Sequence, residues 1–232
     1  MLYTGGIVGG GSGSVGGITF SRNRYGPYIR RRAVPVNPRT PQQEAVRAAM
    51  TALVQNWHTT LSQIERDGWE NYAQQTPVLS KNGIPIILTG QSMYVRSGVA
   101  RLALLGVFPS NAAPTVFDLG TFTPLTFSAS AATGVLTVAF TDTDSWALEA
   151  GGHLLIFSGR AVNLGRNFYN GPWRFTDSVD GATPTAPTSP AAVGTYPFGT
   201  LVAGSRLKLR ATSLRADGRY STDFIDFCTV GA

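Results

Sequence analysis

No carboxylate precedes Glu44, although six arginines and nine glycines do. A segment so poor in bulky apolar residues cannot bury enough surface to offset its own ordering entropy. The sequence therefore predicts an arm that orders on a partner, and the missing acids make that partner acidic. A single cysteine, Cys228, excludes an internal disulfide framework and any multi-cysteine zinc site. Its strand-like setting predicts an inert buried thiol. Only two histidines, His58 and His153, are present, and no serine sits in a G-x-S-x-G elbow. Apolar runs stop short of the 18 residues a membrane helix needs. The N-terminus lacks the basic start and apolar core of a signal peptide. The expectation is a protein made in a cytoplasm, with no membrane partner.

Charge is scarce and unevenly placed. Residues 1–113 carry eleven Lys/Arg against four Asp/Glu, and residues 114–232 carry eight against nine. The whole excess of +6 lies in the first half. This predicts a basic interaction surface attached to a neutral body.

Three regions follow from the patterning. Residues 1–39 are the Gly/Arg-rich arm. Ile18–Asn23 and Tyr28–Val34 are strand-like, with Tyr25-Gly26-Pro27 as turn chemistry. Pro35 and Pro38 enforce an extended connector. Residues 40–113 form a helical region. Thr40-Pro41-Gln42-Gln43 starts a helix through about Trp57, with Val46, Met50, Leu53, Val54 and Trp57 at helical spacing. Ser62-Gln63-Ile64-Glu65 is a second capping box, opening a helix to Gln75 with Trp69, Tyr72 and Ala73 inward. Lys81-Asn82-Gly83 marks a turn. A third helix covers Gln91–Leu105, with Val95, Val99, Leu102 and Leu105 inward, and Gly106 stops it. A boundary is expected within 107–116.

From Thr115 onward only strands are expected, about seven in residues 114–232. Leu136–Phe140 and Trp173–Phe175 alternate, and Leu154–Phe157 is a continuous apolar run. Arg206-Leu207-Lys208-Leu209-Arg210 puts basic residues on one face and apolar ones on the other. Asp217-Gly218 is a hairpin turn leading to Tyr220–Cys228. Residues 181–199 suggest a long surface loop. The fold class is thus α+β: an N-terminal arm or hairpin and a helical region, followed by an all-β immunoglobulin-like or fibronectin-like sandwich.

Candidate chemistry is thin. Gly11-Ser12-Gly13-Ser14-Val15-Gly16 matches G-x-G-x-x-G, but β-like sequence follows it and no acid stands about 20 residues on. Asp142 with Asp144, and Asp177 with Asp180, bracket turns and fit no EF-hand loop; turn formation explains them, with a weak calcium site as the alternative. No catalytic, cofactor or metal residue is assigned. The partner-binding candidates are Phe20, Arg22, Arg24, Tyr25, Tyr28, Arg30, Arg31 and Arg32. Arginines interleaved with aromatics suit phosphates and bases, or an acidic protein surface with aromatic anchors. Alternation favours a strand laid along a partner protein.

Patches along most of the chain resemble a family common in tailed-phage genomes. They are Ser12-Gly13-Ser14-Val15-Gly16-Gly17-Ile18-Thr19-Phe20-Ser21-Arg22-Asn23-Arg24-Tyr25-Gly26, then Tyr28-Ile29-Arg30 and Val36-Asn37-Pro38. Trp57 with Arg66-Asp67-Gly68-Trp69-Glu70-Asn71-Tyr72-Ala73 belongs to the same pattern. Asn170-Gly171-Pro172-Trp173-Arg174 and Arg215-Ala216-Asp217-Gly218-Arg219 complete it. The resemblance implies a structural, non-enzymatic role in a virion and transfers no catalytic residue. Its partners would be other virion proteins, capsid or tail subunits, met as a homo-oligomer or symmetric array. A capsid-associated decoration or cement protein anchored by the arm is the leading expectation. A tail or head–tail connector component is the runner-up. A packaging protein whose arm binds nucleic acid is the alternative of another class, and a tail glycan hydrolase is the weakest.

Overall fold

The computed structural model describes residues 12–23, 26–80 and 83–232. The chain falls into two compact units, Met1–Pro41 and Gln42–Ala232. Its described residues form an α+β structure with three α-helices and several antiparallel sheets.

The first unit is a three-stranded antiparallel meander of β1 (Gly13–Val15), β2 (Ile18–Asn23) and β3 (Gly26–Arg31). The hairpin expected over 18–34 is present, with its second strand starting two residues early. The described part of the glycine-rich segment is not a featureless tether. Gly13–Val15 pairs with β2, and Gly16-Gly17 forms a two-residue turn with Gly16 at φ 60°. Such a turn needs positive φ, which glycine supplies without steric cost. A strand follows the G-x-G-x-x-G match where the dinucleotide fingerprint needs a helix.

In the second unit, α1 (Pro41–Thr59), α2 (Gln63–Gln75) and α3 (Gly90–Ala100) pack around Leu53, Trp57, Leu61, Trp69, Tyr72, Met93 and Tyr94. Tyr94 lies between the two tryptophans, its ring centroid 5.7 Å from Trp57 and 5.3 Å from Trp69. The Ser62–Glu65 capping box forms as expected: Glu65 Oε2 accepts from Ser62 N at 2.7 Å. The inward faces of α1 and α3 differ from expectation. Ala49 is buried, whereas Met50 and Val54 are exposed; Met93, Tyr94, Ser97 and Gly98 turn inward, whereas Val95, Val99, Leu102 and Leu105 are half-buried. Small residues explain the rotation. A Cβ on Gly98 would stand 2.7 Å from Leu53 Cδ2, so the helices meet where a side chain is missing. Beyond Ala100 the helix widens into a π-turn, Arg101–Leu105, and ends at Gly106 with φ 70°. β4 (Val78–Leu79) and β5 (Pro85–Ile86) form a short ribbon between α2 and α3.

Seven strands follow: β6 (Thr126–Ala129), β7 (Val135–Ala139), β8 (His153–Ser158), β9 (Arg174–Asp180), β10 (Ala191–Thr195), β11 (Arg206–Leu214) and β12 (Phe224–Thr229). They make two antiparallel sheets, ordered β10-β7-β6 and β12-β11-β8-β9. One core joins them: Leu136, Val138 and Val193 from the first sheet with Leu154, Ile156, Leu207 and Leu209 from the second. Trp146, with Phe140 beside it at 5.1 Å, plugs the same core from the β7–β8 connection. The stretch 181–199, expected to be a loop, contains β10. Its Ala-Ala-Val-Gly-Thr composition carries little strand signal, and a register shift between Ala192 and Thr195 accompanies Gly194 at φ 63°.

The expected boundary at 107–116 lies inside the second unit. Side chains of the helical region reach into it and across it to donate to backbone carbonyls. Trp69 Nε1 reaches Asn111 O at 2.8 Å, and Tyr72 OH reaches Asp118 O at 2.6 Å. Arg101, 5% exposed, donates to Gly151 O at 2.7 Å and Arg215 O at 2.9 Å. Arg96 donates to Tyr220 O at 2.9 Å and lies 4.8 Å from that residue's ring centroid.

Candidate partner-binding surface

Strand register sorts the arm residues into two faces. β2 and β3 pair as Ile18 with Arg31, Phe20 with Ile29, and Arg22 with Pro27. β1 places Val15 opposite Ile18. Because successive side chains alternate, Val15, Ile18, Phe20, Arg22, Ile29 and Arg31 share one face. Ser14, Thr19, Ser21, Tyr28 and Arg30 share the other, where the Ser14 and Thr19 hydroxyls meet at 2.8 Å. The first face is an apolar strip ending in arginines, with Val15 75% and Ile18 46% exposed. Arg32 follows β3, its N–H donating to Gly17 O at 2.9 Å.

Phe20, Arg22 and Arg31 therefore share one face, the two arginines at opposite ends of it, while Tyr28 and Arg30 face away from them. Arg24 and Tyr25 lie outside the described residues. None of the ion pairs among the described residues involves Arg22, Arg30, Arg31 or Arg32. The face can bury an apolar strip against a partner and offer guanidinium forks to acids at its ends. Sequence reasoning missed Val15, because glycines surround it and hide the strand.

The arginines of the second unit near the helices are internally satisfied. Arg219 pairs with Asp118 at 2.8 Å and Asp217 at 2.7 Å, and Arg215 pairs with Glu149. Burial works against ionisation of Asp118, yet the Gly120 N–H and Arg219 hold its carboxyl below the usual value. Burial also dominates at Arg101 and lowers its pKa.

The residues weighed for chemistry are dispersed. His153 Nδ1 lies 2.8 Å from Asp180, and His58 Nε2 lies 3.3 Å from Gln91. The Asp144 carboxylate accepts from Thr123 N and Oγ1 at 2.9 and 2.7 Å, a bond between distant segments and not the local bond of a turn-former. Asp177 accepts from Ser178 N at 2.9 Å. Among the described residues no three His, Cys, Asp or Glu gather where they could hold a metal ion. Cys228 is buried, and burial pushes its thiol up to about 11. No helix among the described residues is long and apolar enough to cross a membrane.

Comparison with known proteins adds no relative: no family model, curated protein or solved structure matches the chain.

Proposed function

We propose that this chain is a structural component of a tailed-phage virion, a capsid-associated decoration or cement protein attached by its N-terminal unit. The observation carrying this reading is the meander itself. A compact unit of its own presents an apolar strip, Val15, Ile18, Phe20 and Ile29, with Arg22 and Arg31 at its ends and no acid in its sequence. Such a surface has the aromatic and arginine anchors of a protein interface. Among the described residues β1 and β3 pair on one side only, and a neighbouring strand can add to the other.

The β domain is the other half of the proposal, an immunoglobulin-like sandwich. Naming its strands A to G in chain order, the sheets are A-B-E and G-F-C with the fourth strand beside C. That is the antibody-constant arrangement with the fourth strand moved from E to C, the fibronectin-like variant of the sandwich. A sandwich of this kind is a rigid body for display on an assembled surface, and the phage-family resemblance points the same way.

The test is incorporation. Particles purified from the source strain should contain the full-length chain, identified by mass spectrometry. A chain carrying Ile18→Asp and Ile29→Asp should fold, by circular dichroism, and be lost from the particles. Retention at the full-length level would remove the meander as attachment device. Detection in isolated tails but not in heads would move the role to the tail.

A further inference from the structure

We propose that the outer face of the β12-β11-β8-β9 sheet binds a single-stranded polynucleotide. Leu207 and Leu209 point into the core, so Arg206, Lys208 and Arg210 form a line on the opposite side of β11. Alternate residues of a strand repeat at about 6.7 Å, which gives an evenly spaced row of three cations. A regular row suits a polymer with a regularly repeated anion better than the irregular acids of a folded protein.

Aromatic rings flank the row on both sides. Phe227 lies on β12, with the Arg206 guanidinium 4.1 Å above its ring. Phe157 lies on β8 under Arg210 at 4.2 Å and packs edge-on against Phe175 of β9 at 5.6 Å. Trp173 stands 5.7 Å from Arg210 and packs edge-on against Tyr169 at 5.2 Å. Gly159 makes room for that pair: a Cβ there would meet the Tyr169 ring at 2.4 Å. The guanidiniums lie over rings, which fixes their planes and leaves N–H groups for phosphates. Bases stack on guanidinium planes and on aromatic rings alike.

The face is short of acid and open at its Arg206–Arg210 end, whereas Thr212 and Leu155, next along the same face, are fully buried. Phe227 and Ile225 are 47% and 49% exposed, and Phe168 in the neighbouring loop is 73% exposed. Among the described residues, Asp223 is the one carboxylate paired with the row, 3.3 Å from Arg210. Arg206 is held by Asn167, a neutral group. Nothing in this inference depends on the attachment role of the meander.

The test uses the full-length protein and a fluorescein-labelled dT20 oligonucleotide, read by anisotropy at 50 mM salt. Binding is expected, with a log–log salt slope of about −2 for three neutralised phosphates. Lys208→Glu should weaken it at least tenfold, and Lys208→Gln, which keeps the side chain's bulk, at least threefold. Trp173→Ala should weaken it at least fivefold through lost stacking. The arm variant Arg30→Ala, Arg31→Ala, Arg32→Ala should change it less than twofold. The proposal is overturned if the Lys208 variants bind like the parent. It is also overturned if a duplex of equal length binds as well as dT20. Competition by poly-L-glutamate as effective as dT20, with Trp173→Ala without effect, would assign the face to an acidic protein instead.

Discussion

At the scale of single residues, the seam between helices and strands depends on a few groups with no spare partners. Arg101 is buried against two carbonyls, Gly151 O and Arg215 O. Replacing it by methionine keeps the bulk and strands both acceptors, so about 3 kcal/mol of stability should disappear in urea unfolding. Gly218 is constrained twice. Its φ is 96°, and a Cβ would stand 3.0 Å from Trp69 Cη2. Gly218→Ala should therefore cost about 2 kcal/mol, measured the same way. Asp118 supplies the pH dependence. Its folded pKa is lowered, so its stabilisation is complete above the unfolded carboxyl value and is lost as pH falls through the folded one. The midpoint for thermal unfolding should drop below about pH 4, and Asp118→Asn should flatten that part of the profile.

At the scale of elements, legibility followed the physical source of each signal. The Ser62–Glu65 box was readable because capping chemistry is local: one side chain bonds one backbone group three residues away. Gly106 and the Asp217-Gly218 turn were readable for the same reason. The orientation of α1 was not, because its buried face is partly alanine, which hydrophobic periodicity underweights beside Met50 and Val54. Ser97 and Gly98 hid the face of α3 likewise, since what places them inside is the approach of Leu53 to Gly98 and of Gly218 to Ser97, not their own hydrophobicity. β10 was lost because Ala191–Thr195 has one branched apolar residue, Val193, and its strand exists only through pairing with β7. In the arm, the two faces emerged only once register was known. The basic character of 22–32 was legible, while the separation of Arg22 and Arg31 from Tyr28 and Arg30 was not.

At the scale of the whole molecule, the two compact units make opposite demands on a deletion. Removing residues 1–39 should leave the melting temperature of the remainder within about 2 °C of the full chain, by differential scanning calorimetry, because a compact second unit retains its own core. Isolating residues 114–232 should behave differently. That piece keeps the sandwich core but loses Tyr72, Arg96 and Arg101, whose side chains end on residues 118–221. It should melt at least 8 °C lower than the full chain, since each kcal/mol lost shifts a domain of this size by roughly 4 °C or more. An unchanged melting temperature would mean the seam adds nothing to the sandwich.

The meander also determines what an attachment assay can measure. Residues 12–41 contain no histidine, cysteine, lysine, aspartate or glutamate, and their cations are all arginine. No side chain of a type that ordinarily titrates between pH 3 and 9 stands in this stretch. Its affinity for a partner, followed across that range, becomes a titration of the partner alone. A midpoint near pH 4 would identify carboxylates on the receiving surface, one near pH 6.5 would identify histidines, and a flat curve would identify a surface held by apolar contact.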